Sequence, residues 1–319
     1  MTTRNPVIID LKFEPTSVEK ALAGAFAGRE VINLSDPGEA TRDLSSAAYA
    51  VVWKPHGDLF SRARNLKAVF SGGAGVDHVL KLDGLPDIPL IRFVDPTLTN
   101  RMSEWVVMQA LLHLRQHSRY EMQRHDRRWN ELPQPEAADV TIGMMGLGVL
   151  GQDSARKLRM MGFRVIGWSR GKKIVEGMET FAGDELDAFL GRTDMLVGLL
   201  PLTDDTTAIF NAGLFRKLRR DGALGGPVFI NAGRGGSQVE SDLVKALTDG
   251  TLLGASLDVF ETEPLPASSP FWSMQNVFMT PHAAASTDVR ALFAHVERQI
   301  DRFESGRDFD HVVNRATGY

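Results

Sequence analysis

The stretch from Val140 to Gly151 reads Val-Thr-Ile-Gly-Met-Met-Gly-Leu-Gly-Val-Leu-Gly, and it constrains the fold more than any other part of the chain. A short apolar strand runs into Gly146-x-Gly148-x-x-Gly151, and a helical stretch follows to Met161. Gly146 suits the tight turn at the strand end, Gly148 lets a phosphate group approach the backbone, and Gly151 lets the helix pack close to the strand. The N-terminus of that helix offers unpaired N–H groups and a partial positive charge to an anion. A GxGxxG motif also occurs in unrelated glycine-rich loops. Here a second strand, Phe163 to Trp168, follows at βαβ spacing, which predicts a dinucleotide site that includes Leu147, Val149 and Leu150 of the same loop.

The residues after that second strand select the dinucleotide. An NAD site carries Asp or Glu about 20 residues past the glycines, where it holds the ribose 2′-hydroxyl. This chain has Ser169 and Arg170 there, then Lys172 and Lys173. A 2′-phosphate would meet a hydroxyl, a guanidinium and two ammonium groups, and guanidinium forks onto phosphate oxygens. The expectation is NADP(H) in preference to NAD(H), with an ordinary charged loop as the other reading of the same residues.

At 319 residues the chain is long for a single core, so two domains are expected. A hydrophobic fraction of 43% and a charged fraction of 24% are ordinary for a globular protein. The net charge of −4 argues against a nucleic-acid partner. The absence of cysteine excludes disulfides, thiolate metal sites and cysteine nucleophiles. Met1 to Pro6 has no long apolar run, and no segment approaches the ~20 apolar residues of a membrane span, so no membrane partner and a cytoplasmic location are expected.

Short apolar runs alternate with helical stretches along the chain. Val7–Phe13, Val31–Leu34, Ala48–Trp53, Ala68–Ser71 and Leu90–Val94 are predicted strands, and Ser17–Ala27 a helix. Trp105, Met108 and Leu112 recur at helical spacing, which predicts one long helix from Asn100 toward Trp129. Six further strands are predicted at Val140–Met144, Phe163–Trp168, Met195–Leu200, Pro227–Asn231, Ala255–Val259 and Val277–Met279, and a last helix from Ser286 to about Phe303. The pattern is that of an α/β protein built from two doubly wound parallel sheets, Rossmann-like and flavodoxin-like.

Three segments after the third of these six strands carry chemistry: Asn231-Ala-Gly-Arg234-Gly-Gly, Leu257-Asp258-Val-Phe-Glu261-Thr-Glu263-Pro264 and Thr280-Pro281-His282. Each stands at the C-terminal end of a predicted strand, where open α/β sheets place ligands. Reducing a 2-oxo acid requires a hydride, a proton for the carbonyl oxygen and a cation for the carboxylate. Arg234 suits the last task and polarises the carbonyl. His282 suits the second, and Glu263 could fix its tautomer and favour the imidazolium. Singly, each has another reading: Arg234 as a structural ion-pair partner, Glu263 as a surface acid, His282 as a helix cap.

The segments Asn231-Ala-Gly-Arg-Gly, Leu257-Asp-Val-Phe-x-x-Glu-Pro and Thr280-Pro-His resemble the D-isomer-specific 2-hydroxyacid dehydrogenases over nearly the whole chain. The resemblance implies an Arg234–Glu263–His282 triad. It implies a substrate loop at Ser71-Gly-Gly-Ala-Gly-Val-Asp-His in which the amides of Ala74 and Gly75 hold the carboxylate. Cofactor contacts would extend to Leu200, Pro201, Thr206, Ala232, Gly233 and Ala284, with Asp258 on the nicotinamide amide. Val51-Val-Trp-Lys-Pro, Val94-Asp-Pro-Thr-Leu-Thr, Gly167-Trp-Ser-Arg and Asn314-Arg-Ala-Thr-Gly-Tyr319 resemble a bacterial branch of that family, the A-type glyoxylate/hydroxypyruvate reductases, which prefer NADPH. By that resemblance Trp53 lines the substrate pocket; a core aromatic at a strand end is the other reading. The resemblance further implies that residues 1–99 and 287–319 form the substrate domain, that residues 100–286 form an inserted cofactor domain, and that the protein is a homodimer.

Departures and rivals remain at this point. Ala74 stands where many relatives carry a larger residue, and Gly235-Gly236 is expected to make the loop after Arg234 flexible. His113 and His117, at i, i+4, suggest no metal without a third ligand and are expected on a solvated or interface face. A dinucleotide-sensing scaffold, and a dehydrogenase for a larger hydroxy acid, are the alternatives to a reductase of small 2-oxo acids.

Overall fold

A computed structural model describes residues 4–319; Met1–Thr3, the start of the N-terminal stretch discussed above, lie outside the described residues. The chain divides into two compact units, Met1–Leu98 with Thr287–Tyr319, and Thr99–Ser286.

Among the described residues, the first unit contains one parallel sheet of five strands: β1 (Arg4–Leu11), β2 (Arg29–Asn33), β3 (Tyr49–Trp53), β4 (Ala68–Ser71) and β5 (Leu90–Ile91). Their order is β2-β1-β3-β4-β5, the flavodoxin-like order, which places the switch point between β1 and β3. The helix expected at Ser17–Ala27 runs instead over Pro15–Leu22. It starts early because Glu14 accepts the N–H groups of Thr16 and Ser17 at 3.1 and 2.7 Å, with Pro15 opening the first turn. The last helix, Val289–Glu304, begins at an Asp288 cap and packs Phe293 on Phe26, ring centroids 5.3 Å apart.

The second unit contains a seven-stranded parallel sheet among the described residues: β6 (Thr141–Met145), β7 (Arg164–Ser169), β8 (Glu179–Ala182), β9 (Met195–Gly198), β10 (Val228–Asn231), β11 (Gly254–Leu257) and β12 (Val277–Met279). The order β12-β11-β10-β9-β6-β7-β8 puts its switch point between β9 and β6. Val228 and Ile230 belong to one apolar cluster and Phe229 to another; Met195 and Val197 divide from Leu196 in the same way. Both faces of the sheet are therefore covered, which is why these strands read as continuous apolar runs.

The structure adds a seventh strand to the six expected. β8 is Glu-Thr-Phe-Ala at the sheet edge, too short and too polar to register as an apolar run. The long helix expected from Asn100 toward Trp129 is two helices, Pro96–Leu114 and His117–His125, broken at Gln116, whose φ is +55°.

His113 departs from the solvated face expected of it. The ring is buried, Nε2 lies 2.9 Å from Ser256 Oγ, and Phe278 packs on it. Ser256 Oγ donates its proton to Gln109 Oε1 at 2.8 Å, so His113 Nε2 is the donor to Ser256. Small residues on β11, Gly254 and Ser256, admit the ring. Burial pushes its pKa down from 6.5 to about 3. A histidine held neutral stabilises the fold fully above its unfolded pKa, and that contribution is lost as pH falls from about 6.5 toward 3. We expect the second unit to lose up to about 1.4 kcal/mol per pH unit in that window, with His113→Gln flattening the slope in urea titrations run from pH 7 to pH 4.

Candidate active site

The dinucleotide loop follows β6 directly. Gly146 adopts φ +112°, and a Cβ there would lie 2.4 Å from the Leu199 carbonyl oxygen. A Cβ at Gly151 would lie 1.8 Å from the Gly146 oxygen, so strand and helix touch through bare backbone. At Gly148 a Cβ would meet nothing within 4 Å. Gly148 is the N-cap of the helix Val149–Met160 and provides no side-chain cap. The first amides of that helix are thus left for an outside acceptor beside an open space, which fits a dinucleotide pyrophosphate. Leu147 is buried, Val149 is exposed, and Leu150 is half-buried in the first turn.

At the end of β7, Ser169 is buried and donates through Oγ to Gly171 O at 2.8 Å. Arg170 is exposed and ion-paired with Asp205 of the loop after β9. Lys172 is exposed, and Lys173 Nζ reaches back to Leu147 O at 3.2 Å. Lys173 thus stands beside the glycine loop, and Arg170 and Lys172 lie on the same segment after β7. Leu200 and Pro201 follow β9 on the other side of the switch point. Thr206 closes that loop on itself: its hydroxyl donates to Pro201 O at 2.6 Å and accepts from Thr203 N at 2.8 Å.

Arg234 follows β10. Its loop is built on two buried amides: Asn231 Nδ2 donates to Gln238 Oε1 at 2.9 Å, and Gln238 Nε2 donates to Val259 O at 3.1 Å. Asn231 Oδ1 accepts from Gly233 N at 3.0 Å, and Ala232 N donates to Gly198 O at 3.2 Å. The flexibility expected of Gly235-Gly236 is corrected here. Gly235 is buried in a tight turn, Gly235–Ser237, and a Cβ would lie 1.8 Å from the Phe260 oxygen. Glycine is present because the backbone of the next strand-end loop comes that close.

Glu263 and His282 meet across the sheet edge. Glu263 Oε2 is 2.8 Å from His282 Nδ1, while Oε1 accepts from Phe260 N at 3.2 Å. With the carboxylate accepting at Nδ1, Nε2 is the nitrogen that can exchange a proton. His282 has φ +53°, a left-handed backbone that a non-glycine residue adopts only when its surroundings hold it. Its N–H donates to the carbonyls of Asp258 at 2.8 Å and Thr280 at 3.0 Å.

Sequence reasoning missed the part Asp258 plays in this. The carboxylate is buried, and Oδ1 accepts from Thr280 Oγ1 at 2.5 Å, Ala283 N at 2.8 Å and Ala284 N at 3.0 Å. Trp105 Nε1 donates to Thr280 Oγ1 at 3.0 Å and extends the chain. An acid two residues from a Phe-x-x-Glu segment carries no local sign that it will organise a loop more than twenty residues away.

In the first unit, the segment after β4 forms its own cradle. Gly72 N donates to Val52 O at 2.7 Å, Phe93 N to Gly73 O at 3.3 Å, and Ser71 Oγ to Gly75 O at 2.8 Å. The N–H groups of Ala74 and Gly75 have no acceptor among the described residues. Trp53 lies beside them at the end of β3, with its ring against Gly73.

The family model for the NAD-binding domain of D-isomer-specific 2-hydroxyacid dehydrogenases matches residues 107–284. The chain belongs to the D-isomer-specific 2-hydroxyacid dehydrogenase family. Glyoxylate/hydroxypyruvate reductase A of Escherichia fergusonii is 42% identical over 284 residues, covering 87% of this chain and 89% of that protein. Among solved structures, the NADPH-dependent glyoxylate/hydroxypyruvate reductase of Sinorhizobium meliloti in complex with NADP and sulfate is 68% identical, with a TM-score of 0.98 over 99% of this chain and 100% of that one. A probable 2-hydroxyacid dehydrogenase of Rhizobium etli, in complex with NADP, HEPES and L(+)-tartaric acid, is 59% identical, with a TM-score of 0.94 over 99% and 100% of the two chains. This family membership disfavours the unrelated glycine-loop reading of the GxGxxG motif.

Proposed function

We propose that this chain reduces small 2-oxo acids, glyoxylate and hydroxypyruvate foremost, to D-2-hydroxy acids with NADPH, as a cytoplasmic homodimer. The observation that carries the reading is the 2.8 Å Glu263–His282 pair standing at the same sheet edge as the Gly146–Gly151 loop and Arg234. The likeness to NADPH-dependent relatives supports the choice of cofactor and acids. The unit Thr99–Ser286 is the cofactor domain in this reading, and Met1–Leu98 with Thr287–Tyr319 the substrate domain.

The dinucleotide, when bound, supplies the hydride. Gly148 and the first amides of the helix Val149–Met160 take its pyrophosphate, and Ser169, Arg170 and Lys172 take the 2′-phosphate. The amides of Ala74 and Gly75 take the substrate carboxylate. Arg234 forks onto the carboxylate and carbonyl oxygens and stabilises the negative charge that grows on the latter. His282 donates a proton from Nε2 to that oxygen, and Glu263 holds the ring in the donating orientation.

The test follows NADPH oxidation with glyoxylate, hydroxypyruvate, pyruvate and phenylpyruvate, with NADH in parallel. Faster turnover with the two hydrophilic acids and NADPH is expected. No turnover with any of them, despite tight NADPH binding, would favour a dinucleotide-sensing scaffold. Replacing Arg170 with Asp should raise the KM for NADPH by about 10- to 100-fold, the worth of a charge-assisted hydrogen bond, and leave the KM for NADH within about threefold. Equal losses with both dinucleotides would remove Arg170 from the 2′-phosphate site.

A further inference from the structure

The switch point of the first unit's sheet, between the carboxyl ends of β1 and β3, holds a chain of three side chains that no catalytic role above uses. Asp10, on β1, is buried with its side chain 2% exposed. It accepts the backbone N–H of His56 at 2.8 Å and the ring Nδ1 at 3.0 and 3.1 Å on its two oxygens. Lys12 Nζ stands 3.2 Å from His56 Nε2. An ammonium can only donate, so Nε2 accepts, and the ring is the Nδ1–H tautomer donating to Asp10. Lys12 also donates its backbone N–H to the Trp53 carbonyl at 3.1 Å. The turn Trp53-Lys54-Pro55-His56, with Lys54 at φ +50°, is therefore gripped at both ends, by Asp10 of β1 and by Lys12 just past that strand.

What this turn presents is the Trp53 indole. A Cβ on Gly73 would lie 2.6 Å from Trp53 Cζ3, and one on Gly72 would lie 3.1 Å from Trp53 Cβ and 3.0 Å from Leu11 Cδ2. The indole is pressed on bare backbone one residue before the Ala74 and Gly75 amides. His78 packs edge-on to the indole, with ring centroids 4.3 Å apart. An aromatic wall on the residues just before an anion cradle bounds the size of acid the cradle can accept. The wall stays in place only if its turn does. A buried carboxylate spent on a turn, where a hydrophobic contact would hold the chain as well, indicates that direction is being set along with stability.

We propose that Asp10, His56 and Lys12 are positioning residues that hold Trp53 against Gly72-Gly73, and that through it they restrict the substrate to acids with a small group beyond the oxo carbon. This rests on the 2-oxo acid reductase reading. Open α/β sheets bind ligands at the switch point, and here the clamp and the cradle share that edge of the sheet.

The experiment compares wild type, His56→Ala and His56→Asn on glyoxylate and phenylpyruvate with NADPH, with thermal midpoints recorded for all three. His56→Ala keeps the backbone N–H to Asp10 and is expected to fold. It should leave kcat for glyoxylate within about twofold, raise its KM, and lower the glyoxylate-over-phenylpyruvate ratio of kcat/KM about tenfold, the scale of a pocket contact. His56→Asn retains a donor near the position of Nδ1 and should restore most of the ratio. An unchanged ratio in His56→Ala, an equal fall of kcat for both acids, or no rescue by Asn overturns the clamp while the reductase reading stands. A wild type inactive on every acid overturns both.

Discussion

Replacing His282 with Ala lowers kcat by about 10²-fold or more, the usual worth of a positioned proton donor, while the Kd for NADPH stays within about twofold. The expectation follows from the geometry. Glu263 occupies Nδ1 at 2.8 Å, so proton exchange runs through Nε2, and the left-handed backbone of His282 is held by carbonyls of Asp258 and Thr280. An interaction formed only as the carbonyl oxygen gains charge should appear equally in kcat and kcat/KM. Glu263→Gln keeps an acceptor for Nδ1–H but removes the charge, and should fall between wild type and His282→Ala. Stopped-flow single turnovers with glyoxylate separate the chemical step from product release. Unchanged turnover in His282→Ala would end the assignment of the proton to this residue.

Replacing Glu304 with Ala destabilises the first unit by about 3 kcal/mol, the cost of leaving a buried charge without its partner. The Arg29 side chain is 1% exposed, and Glu304 meets it with both oxygens, at 2.6 and 3.0 Å. Asn5 Nδ2 and Tyr49 Oη donate to the same carboxylate at 3.0 and 3.2 Å. After the substitution the guanidinium retains the Asn5 carbonyl and the more exposed Asp301, each at 3.3 Å, and the Tyr49 ring at 5.9 Å, but no full carboxylate fork. Hydrogen exchange at the amides of β1, β2 and β3 in dilute urea reads the effect in this unit alone. Replacing both partners, Arg29→Met with Glu304→Leu, should recover most of the loss, since the apolar pair leaves no charge to desolvate. The same pair sets an acid limit. Hydrogen bonds from Arg29 hold the Glu304 pKa down at about 2, so its contribution is full above about 4.5 and is lost as pH falls toward 2. Protection in the Glu304→Ala variant that matched wild type would show the pair to be dispensable.

The strands of the second sheet were legible because both of its faces are covered: a strand buried on both sides must be apolar at consecutive positions, and Met195–Val197 and Val228–Ile230 are. The glycine loop was legible for the same kind of local reason, since φ +112° at Gly146 and backbone contact at Gly151 each exclude a side chain. β8 was not legible, because an edge strand of four residues obtains its order from β7 and not from its own pattern. Arg234, Glu263 and His282 were picked out by where strands end and by family resemblance. The meeting of Glu263 with His282, and the service of Asp258 beneath it, is a contact between loops. His113 and Gly235 were misjudged for one physical reason: each answers to a distant neighbour, a small residue at Gly254 on β11 or a carbonyl at Phe260 in the loop after it, that no local window contains.

The sequence by itself determined the α/β class, the place of the dinucleotide loop and the residue types able to take a hydroxyl, a phosphate and a carboxylate, because these depend on backbone sterics, periodicity and side-chain chemistry within one element. The pairing of Glu263 with His282 was an expectation from the strand ends; its geometry, and which other carboxylate faces which imidazole or guanidinium, was decided only by the tertiary structure. Glu263 reaches His282, Asp10 reaches His56 and Glu304 reaches Arg29 across separations of 19, 46 and 275 residues. Such pairs form because folded sheets align their strand ends and helices bring distant side chains alongside, and neither effect leaves a trace in the local order of residues.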